Sequence, residues 1–310
     1  MNFIKIFAPA TVANVSCGFD SMGFAVENVG DEMTFTKTTA KGVKITEITG
    51  ANGLTLDPTQ NAAGVVALAM LEKHPVDFGI EMTMHKGFSP GSGLGSSAAS
   101  AGGAAYGVNQ LLGTPFSNLE LTQFAMLGEE AACGTPIADN VASAVFGGFV
   151  LIRSYEPLDI VKLPVPDELR LVAIHPQIEV KTKDAREVLP SQVSLESAVT
   201  QWANVGGLVS GLHSNDYQLI SNSLTDVIVE PARKHLIPHF DLVKSEAIKA
   251  GALGAGISGS GPTIFAICQG DEIAKKVHRA IKNAYSNKNI DFNVFTSKIN
   301  TEGVKTITSK

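Results

Sequence analysis

The sequence predicts an α+β fold in two domains, on three observations. A chain of 310 residues with 44% hydrophobic content has enough apolar surface for more than one modest core. Strand-like and helix-like patterns alternate along its whole length. Pro157, Pro164 and Pro166 crowd one short segment between two such patterns, so the boundary is placed there, giving domains 1–156 and 157–310.

In the first domain, residues 3–7, 33–38, 43–48, 80–85 and 147–153 are rich in β-branched and aromatic residues and are bounded by Gly, Pro or Asn, which predicts strands. Residues 60–73 predict a helix, as do 96–112, where Ala101, Ala104, Ala105, Val108 and Leu112 recur at helical spacing. A third helix is expected from Ser117, where Ser-Asn-Leu-Glu forms a capping box, to about Ala132. Beyond the prolines come a strand at 170–175, helices including an amphipathic one at 239–250, a strand at 262–268, a helix at 271–286 and a strand at 292–298. That order suits an α/β sandwich, and no internal repeat or low-complexity tract interrupts it.

Composition narrows the function classes. Charged residues make up 17% of the chain and the net charge is −6, so neither disorder nor a nucleic-acid partner is expected. Cys17, Cys133 and Cys268 are odd in number and far apart, which suits neither a disulfide framework nor a zinc site. With no long apolar run near Met1, a soluble, cytoplasmic protein without membrane association is expected.

The stretch Pro90, Gly91, Ser92, Gly93, Leu94, Gly95, Ser96, Ser97 follows a predicted strand and opens a predicted helix, where backbone N–H groups and a helix N-terminus converge on an anion. It is no Walker A loop, lacking the Lys-Ser/Thr, and no dinucleotide fingerprint, because Ser96 stands at the third glycine. From Gly87 to Gly148 there is no lysine or arginine, so phosphate charge must be met by amides, hydroxyls, the helix dipole and a metal ion. Gly254 to Gly259 does match G-x-G-x-x-G, but a helix precedes it and a strand follows, the reverse of a dinucleotide site. Its glycines still suit a wall whose backbone approaches a ligand closely.

Among polar residues, Glu129 and Glu130 end a helix, where carboxylates oppose the macrodipole unless a cation is near; the alternative is two solvated glutamates. Asp139 and Asn140 precede an apolar run and either cap it or belong to a site. Asn14, Ser16 and Asp20 share a loop between strands. Arg186 and Arg233 are each suited to gripping a carboxylate or phosphate, or to a surface ion pair.

Taken together, "APATVANVSCGFDSMGFAV", "PGSGLGSSAAS" and "GISGSGPT" resemble the three motifs of the GHMP small-molecule kinases, the family of galactokinase, homoserine kinase, mevalonate kinase and phosphomevalonate kinase. "ADNVASAVFGGFVLIRSYEPL", "KTKDAREVLP" and "VEPARKHLIP" are similar to the homoserine kinases in particular. The resemblance implies an N-terminal domain like domain 2 of ribosomal protein S5, with a left-handed crossover, and a ferredoxin-like C-terminal domain. It implies a homodimer that uses ATP and Mg²⁺ to phosphorylate L-homoserine. ATP would lie over residues 90–97 with Asn61 in the adenine pocket, and Mg²⁺ near Ser97 and Glu130. Asn14, Asp20, Asp139, Arg186, Arg233 and Gly259 would line the homoserine site, and Asn140 would help position the hydroxyl. Ile137 departs from the pattern, since homoserine kinases commonly carry histidine there. Another small alcohol as substrate, or a relative without catalysis, is the alternative.

Overall fold

The structure, a computed structural model, describes residues 1–309. In chain order the first part comprises β1 (Phe3–Ala13), β2 (Met22–Thr38), β3 (Val43–Thr49), α1 (Ala62–Lys73), β4 (Gly79–His85), α2 (Ser96–Leu112), α3 (Asn118–Cys133), α4 (Ala138–Phe146), β5 (Phe149–Tyr155) and β6 (Leu158–Leu163). The second comprises β7 (Leu169–Pro176), α5 (Thr182–Glu187), α6 (Leu195–Ser214), α7 (Tyr217–Ser223), α8 (Val229–Arg233), α9 (Phe240–Lys249), β8 (Gly254–Ile257), β9 (Ile264–Gln269), α10 (Gly270–Tyr285), β10 (Phe292–Lys298) and β11 (Lys305–Ser309).

The first sheet has seven strands in the order β11-β1-β2-β4-β3, with the β5–β6 hairpin branching from β2. Only β3 and β4 pair in parallel among the described residues, joined by the α1 crossover. On one face alternate residues Ile4, Ile6, Ala8, Met33, Phe35, Met82 and Met84 meet α1, α2 and α3. The interior of α2 is almost all alanine and glycine because it lies close to the sheet: a Cβ on Gly103 would sit 2.5 Å from Met33 Sδ. A larger side chain there would push the helix, and with it the loop at its N-terminus, off the sheet.

The second sheet is antiparallel, in the order β10-β7-β9-β8. Its strands alternate between two cores. Val172, Ile174, Ile264, Ala266 and Cys268 pack under α9 and α10, while Leu171, Ala173, Phe265 and Ile267 face α6 and the β1–β2 end of the first sheet. The strongly amphipathic α10 needs only its Ala274, Val277, Ile281 and Tyr285 stripe to be buried.

Two elements of the first sheet lie beyond the expected boundary. Position 156 falls inside the turn of the β5–β6 hairpin, so β6 belongs to the first sheet although it lies beyond the predicted boundary. The C-terminal β11 returns to pair antiparallel with β1. The proline-rich segment reads as a linker because β6 is an edge strand, where proline is tolerated at the flanks.

Candidate active site

A cleft of about 590 Å³ opens between the two halves. The first turn of α2 forms one wall. Its N-cap is Gly95, at φ 68°, with no side-chain cap, so the helix's leading N–H groups are left to the cleft. Gly91 and Gly93 also have positive φ, a path that glycine follows without strain. The loop is anchored from behind. Ser92 O accepts the Thr263 hydroxyl at 2.6 Å, Gly93 O accepts the Ser258 hydroxyl at 2.6 Å, and Leu94 O accepts Thr11 N at 2.9 Å. Ser92 and Leu94 are thus buried supports, whereas Pro90, Gly91, Gly93, Gly95, Ser96 and Ser97 line the cleft.

A cation does stand at this wall, one residue before the stretch in which the sequence shows none. Lys86 is buried, forms an ion pair with buried Asp31, and donates to Ser96 O at 2.9 Å and Ser100 Oγ at 2.8 Å. Burial lowers the Lys86 pKa and raises that of Asp31, each partly offset by the other's charge. Asp31 also accepts Gly87 N at 3.1 Å, so the pair ties β2 and the end of β4 to the start of α2.

The structure separates the two glutamates. Glu129, and not Glu130, reaches the cleft: Glu130 is exposed, while Glu129 is buried beside the Ser97 hydroxyl with Oε1 unpartnered. Burial raises the Glu129 pKa to about 7 against the pull of Ser97 and Lys86. The signal was in the sequence. Leu121, Ala125 and Gly128 make up the buried stripe of α3, and residue 129 continues it where residue 130 does not. An orphaned carboxylate oxygen next to a hydroxyl fits a hard divalent cation that keeps most of its other ligands from phosphate and water. Asn61 caps α1 through Ala63 N at 3.0 Å, donates to Thr55 O at 2.9 Å and lies in the cleft wall with Leu54, Gln60 and Ala62.

Opposite the loop, the second half of the site combines charges of both signs. Arg186 donates to both oxygens of Asp20 at 3.1 Å, leaving its Nε buried without a partner. Arg233 is buried, with Nε on Ala185 O at 2.7 Å and Nη1 on Gly259 O at 3.3 Å, and its guanidinium lies 4.9 Å from the Phe19 ring centre. Burial lowers its pKa to about 10, which leaves it charged at neutral pH. Asn14 donates to Gly259 O at 2.8 Å and accepts Asp20 N at 3.2 Å, closing the loop onto the second domain. This loop carries positive φ at Asn14, Val15, Ser16 and Asp20, which for a β-branched residue such as Val15 is a strained state held by its surroundings.

Between the two halves lie Asp139 and Asn140, on a helix the sequence did not predict. The short apolar run before β5 reads equally as a strand, and Ile137, the N-cap of α4, offers no capping side chain. Burial and neighbouring Asp20 raise the Asp139 pKa to about 7. Asn140 Oδ1 accepts the Thr11 hydroxyl at 2.6 Å, and Asn140 lines the cleft. A Cβ on Gly95 would lie 2.8 Å from that same Oδ1, so Asn140 abuts the helix N-terminus directly.

Ile137 lines the cleft together with Cys133 and Thr182, so the departure in the motif is an apolar side chain at the rim. Thr11, Phe19, Ser100 and Thr182 lie within the quoted motifs but are not singled out there as site residues, whereas Lys86 lies outside every motif and joins the site only through tertiary packing.

A glycine-walled helix N-terminus thus faces Arg186 and Arg233 across one cleft. The family models "GHMP kinases N terminal domain" and "GHMP kinases C terminal" match residues 61–148 and 208–287. The homoserine kinase of Chlorobium phaeobacteroides strain BS1 is 45% identical over 99% of this chain and 100% of its own, and that of Chlorobaculum tepidum 42% identical over 100% and 99%. A crystal structure of homoserine kinase from Cytophaga hutchinsonii superposes with a TM-score of 0.96 at 53% identity, covering 99% of this chain and 98% of that one. The L. major mevalonate kinase, at 16% identity and a TM-score of 0.67 over 96% and 95% of the two chains, shares the fold. The chain belongs to the GHMP kinases, a family of ATP-dependent small-molecule kinases, and within it to the homoserine kinases.

Proposed function

We propose that this protein transfers the γ-phosphoryl group of ATP to the side-chain hydroxyl of L-homoserine, giving O-phospho-L-homoserine on the way to threonine. The observation that carries this reading is one cleft with an anion cradle at one end and paired arginines with a buried carboxylate at the other. Homoserine is a zwitterion with a hydroxyl two carbons beyond its α-carbon. Arg233 and Arg186 receive its carboxylate, and Asp139 and Asp20 its ammonium, which leaves the hydroxyl pointing at the N-terminus of α2.

In this reading residues 90–97 hold the phosphates through backbone N–H groups, Asn61 faces the adenine, and Lys86 adds the one cation of the wall. Ser97 and Glu129 would hold Mg²⁺, which when bound neutralises phosphate charge. Burial raises the pKa of Asp139 and of Glu129 to about 7, with the charge of Asp20 adding to it at Asp139. Asn140 directs its NH₂ at the acceptor oxygen and holds it in line. With a loose transition state, alignment and charge neutralisation supply most of the acceleration. The same reading takes the enzyme to be a cytoplasmic homodimer; among the described residues no helix is long and apolar enough to cross a membrane.

A coupled assay of ADP release with ATP and Mg²⁺, comparing L-homoserine, D-homoserine, L-serine and mevalonate, tests the proposal. Turnover confined to L-homoserine is expected, and equal or greater turnover of mevalonate would refute it.

A further inference from the structure

The two cationic and anionic halves of the acceptor site come from segments far apart in the chain. Asp20 and Asn14 sit on the strained loop 14–20, whereas Arg233 ends the five-residue helix α8. A loop held against its conformational preference and a helix of one turn cannot fix each other's position by local structure alone. Within the cleft Asn14 and Arg233 meet at Gly259 O, and a second connection lies outside it.

That connection runs through two residues that do not line the cleft. Asp226 gathers the leading N–H groups of α8: Oδ1 accepts from Ile228 and Val229, and Oδ2 from Glu230, each at 2.9 Å. Gln201, on α6, donates from a single Nε2 to Asp226 Oδ1 at 3.0 Å and to Cys17 O at 2.9 Å, while its Oε1 accepts Val227 N at 3.0 Å. Cys17 lies within the strained loop. One amide group therefore joins the loop that carries Asp20 to the start of the helix that carries Arg233. Asp226 is buried, so an open end in this network is costly.

We propose that Gln201 and Asp226 are positioning residues that set the separation between the ammonium-binding and carboxylate-binding groups of the acceptor site. The inference rests on the acceptor reading above. It requires that the effect fall on the acceptor and spare ATP, because residues 90–97 are anchored through Ser258, Thr263 and Thr11, none of which bonds to Gln201 or Asp226.

The test uses the full chain with Gln201→Met, which keeps the length and bulk of the side chain and removes all three hydrogen bonds, and Gln201→Glu, which keeps only the acceptor to Val227 N. The expected result is a rise of about tenfold in KM for L-homoserine in Gln201→Met, with KM for ATP within about twofold of the unaltered enzyme. Gln201→Glu should be at least as impaired, since it adds a second carboxylate beside Asp226. Equal changes in both KM values, or none, would overturn the proposal. A second readout does not depend on turnover. Amide hydrogen exchange in Gln201→Met should speed up together in residues 14–20 and 227–230 while that of 92–99 is unchanged, and acceleration in only one of the first two segments would overturn the coupling. An unaltered enzyme that fails to phosphorylate homoserine would refute the acceptor reading alone, and the exchange experiment would still decide the coupling.

Discussion

Replacing Asp139 with asparagine should stabilise the protein, and by an amount that depends on pH. Asp139 is 2% exposed, and burial followed by the charge of Asp20 raises its pKa from 3.8 to about 7. The folded state therefore binds this proton more tightly than the unfolded chain does. The carboxyl's contribution is favourable below pH 3.8, is lost as pH rises toward 7, and above that leaves a buried charge the fold must carry. At about 1.4 kcal/mol per pKa unit the penalty reaches about 4 kcal/mol. Water in the open cleft screens part of it, and about 2–4 kcal/mol is the range expected at pH 8. Asparagine keeps an oxygen for Asn140 N, now accepted at 2.7 Å, and carries no charge at any pH. Asp139→Asn should raise Tm by about 4–8 °C at pH 8, at about 2 °C per kcal/mol for a chain of this size. The gain should shrink by more than half at pH 5. Differential scanning fluorimetry of the ligand-free protein across pH 5–8 measures it. A gain that does not vary with pH, or a loss of stability at pH 8, would refute the argument that burial governs this carboxyl. In the same variant KM for homoserine should rise, because the ammonium loses its counter-charge.

Other outcomes follow from the geometry. Glu129→Gln should lower kcat by about 100-fold or more, and Glu130→Gln should leave it within about twofold, as steady-state kinetics at saturating ATP will show. Arg233→Lys removes the fork that holds Ala185 O and Gly259 O; KM for homoserine should rise about 100-fold while KM for ATP moves less than about threefold. A side chain on Gly95 would be driven into the Thr11 hydroxyl and Asn140 at φ 68°, so Gly95→Ala should raise KM for ATP about tenfold or more and lower kcat, with Tm falling by a few degrees. Asn140→Ala should reduce kcat with little change in either KM, and unchanged kcat would remove it from the site.

What the sequence could reveal was set by how far apart in the chain the cooperating residues lie. Elements with a strong local period or cap were legible. The Ser117 capping box stands as read, with Glu120 reciprocating at 2.8 Å, and the strand over 292–298 begins and ends where expected. β8 was not, because its four residues Gly254–Ile257 carry three small side chains and no alternation; it is a strand only because β9 pairs with it. α4 was lost for a similar reason, its nine residues being too few to show a period against the strand that follows.

The site divides along the same line. Gly91, Gly93 and Gly95, before α2, announce themselves locally through the turns they must make, and Asp139, Asn140, Arg186 and Arg233 stand out as charged or polar residues in apolar or motif contexts. Lys86 shows the opposite case. The loop and the helices after it contain no lysine or arginine from Gly87 to Gly148. The cation stands one position outside that window, where it reads as an ordinary strand-end lysine. Its distinguishing property is burial against Asp31, a partner 55 residues earlier on β2, and burial of an ion pair is a tertiary fact. Such a pair is expensive to desolvate and adds little net stability over an apolar substitute. Its placement makes sense through what it fixes: the same ammonium holds Ser96 O and Ser100 Oγ, so the first turn of α2 is clamped to β2 and β4 at the point where the phosphates would be held.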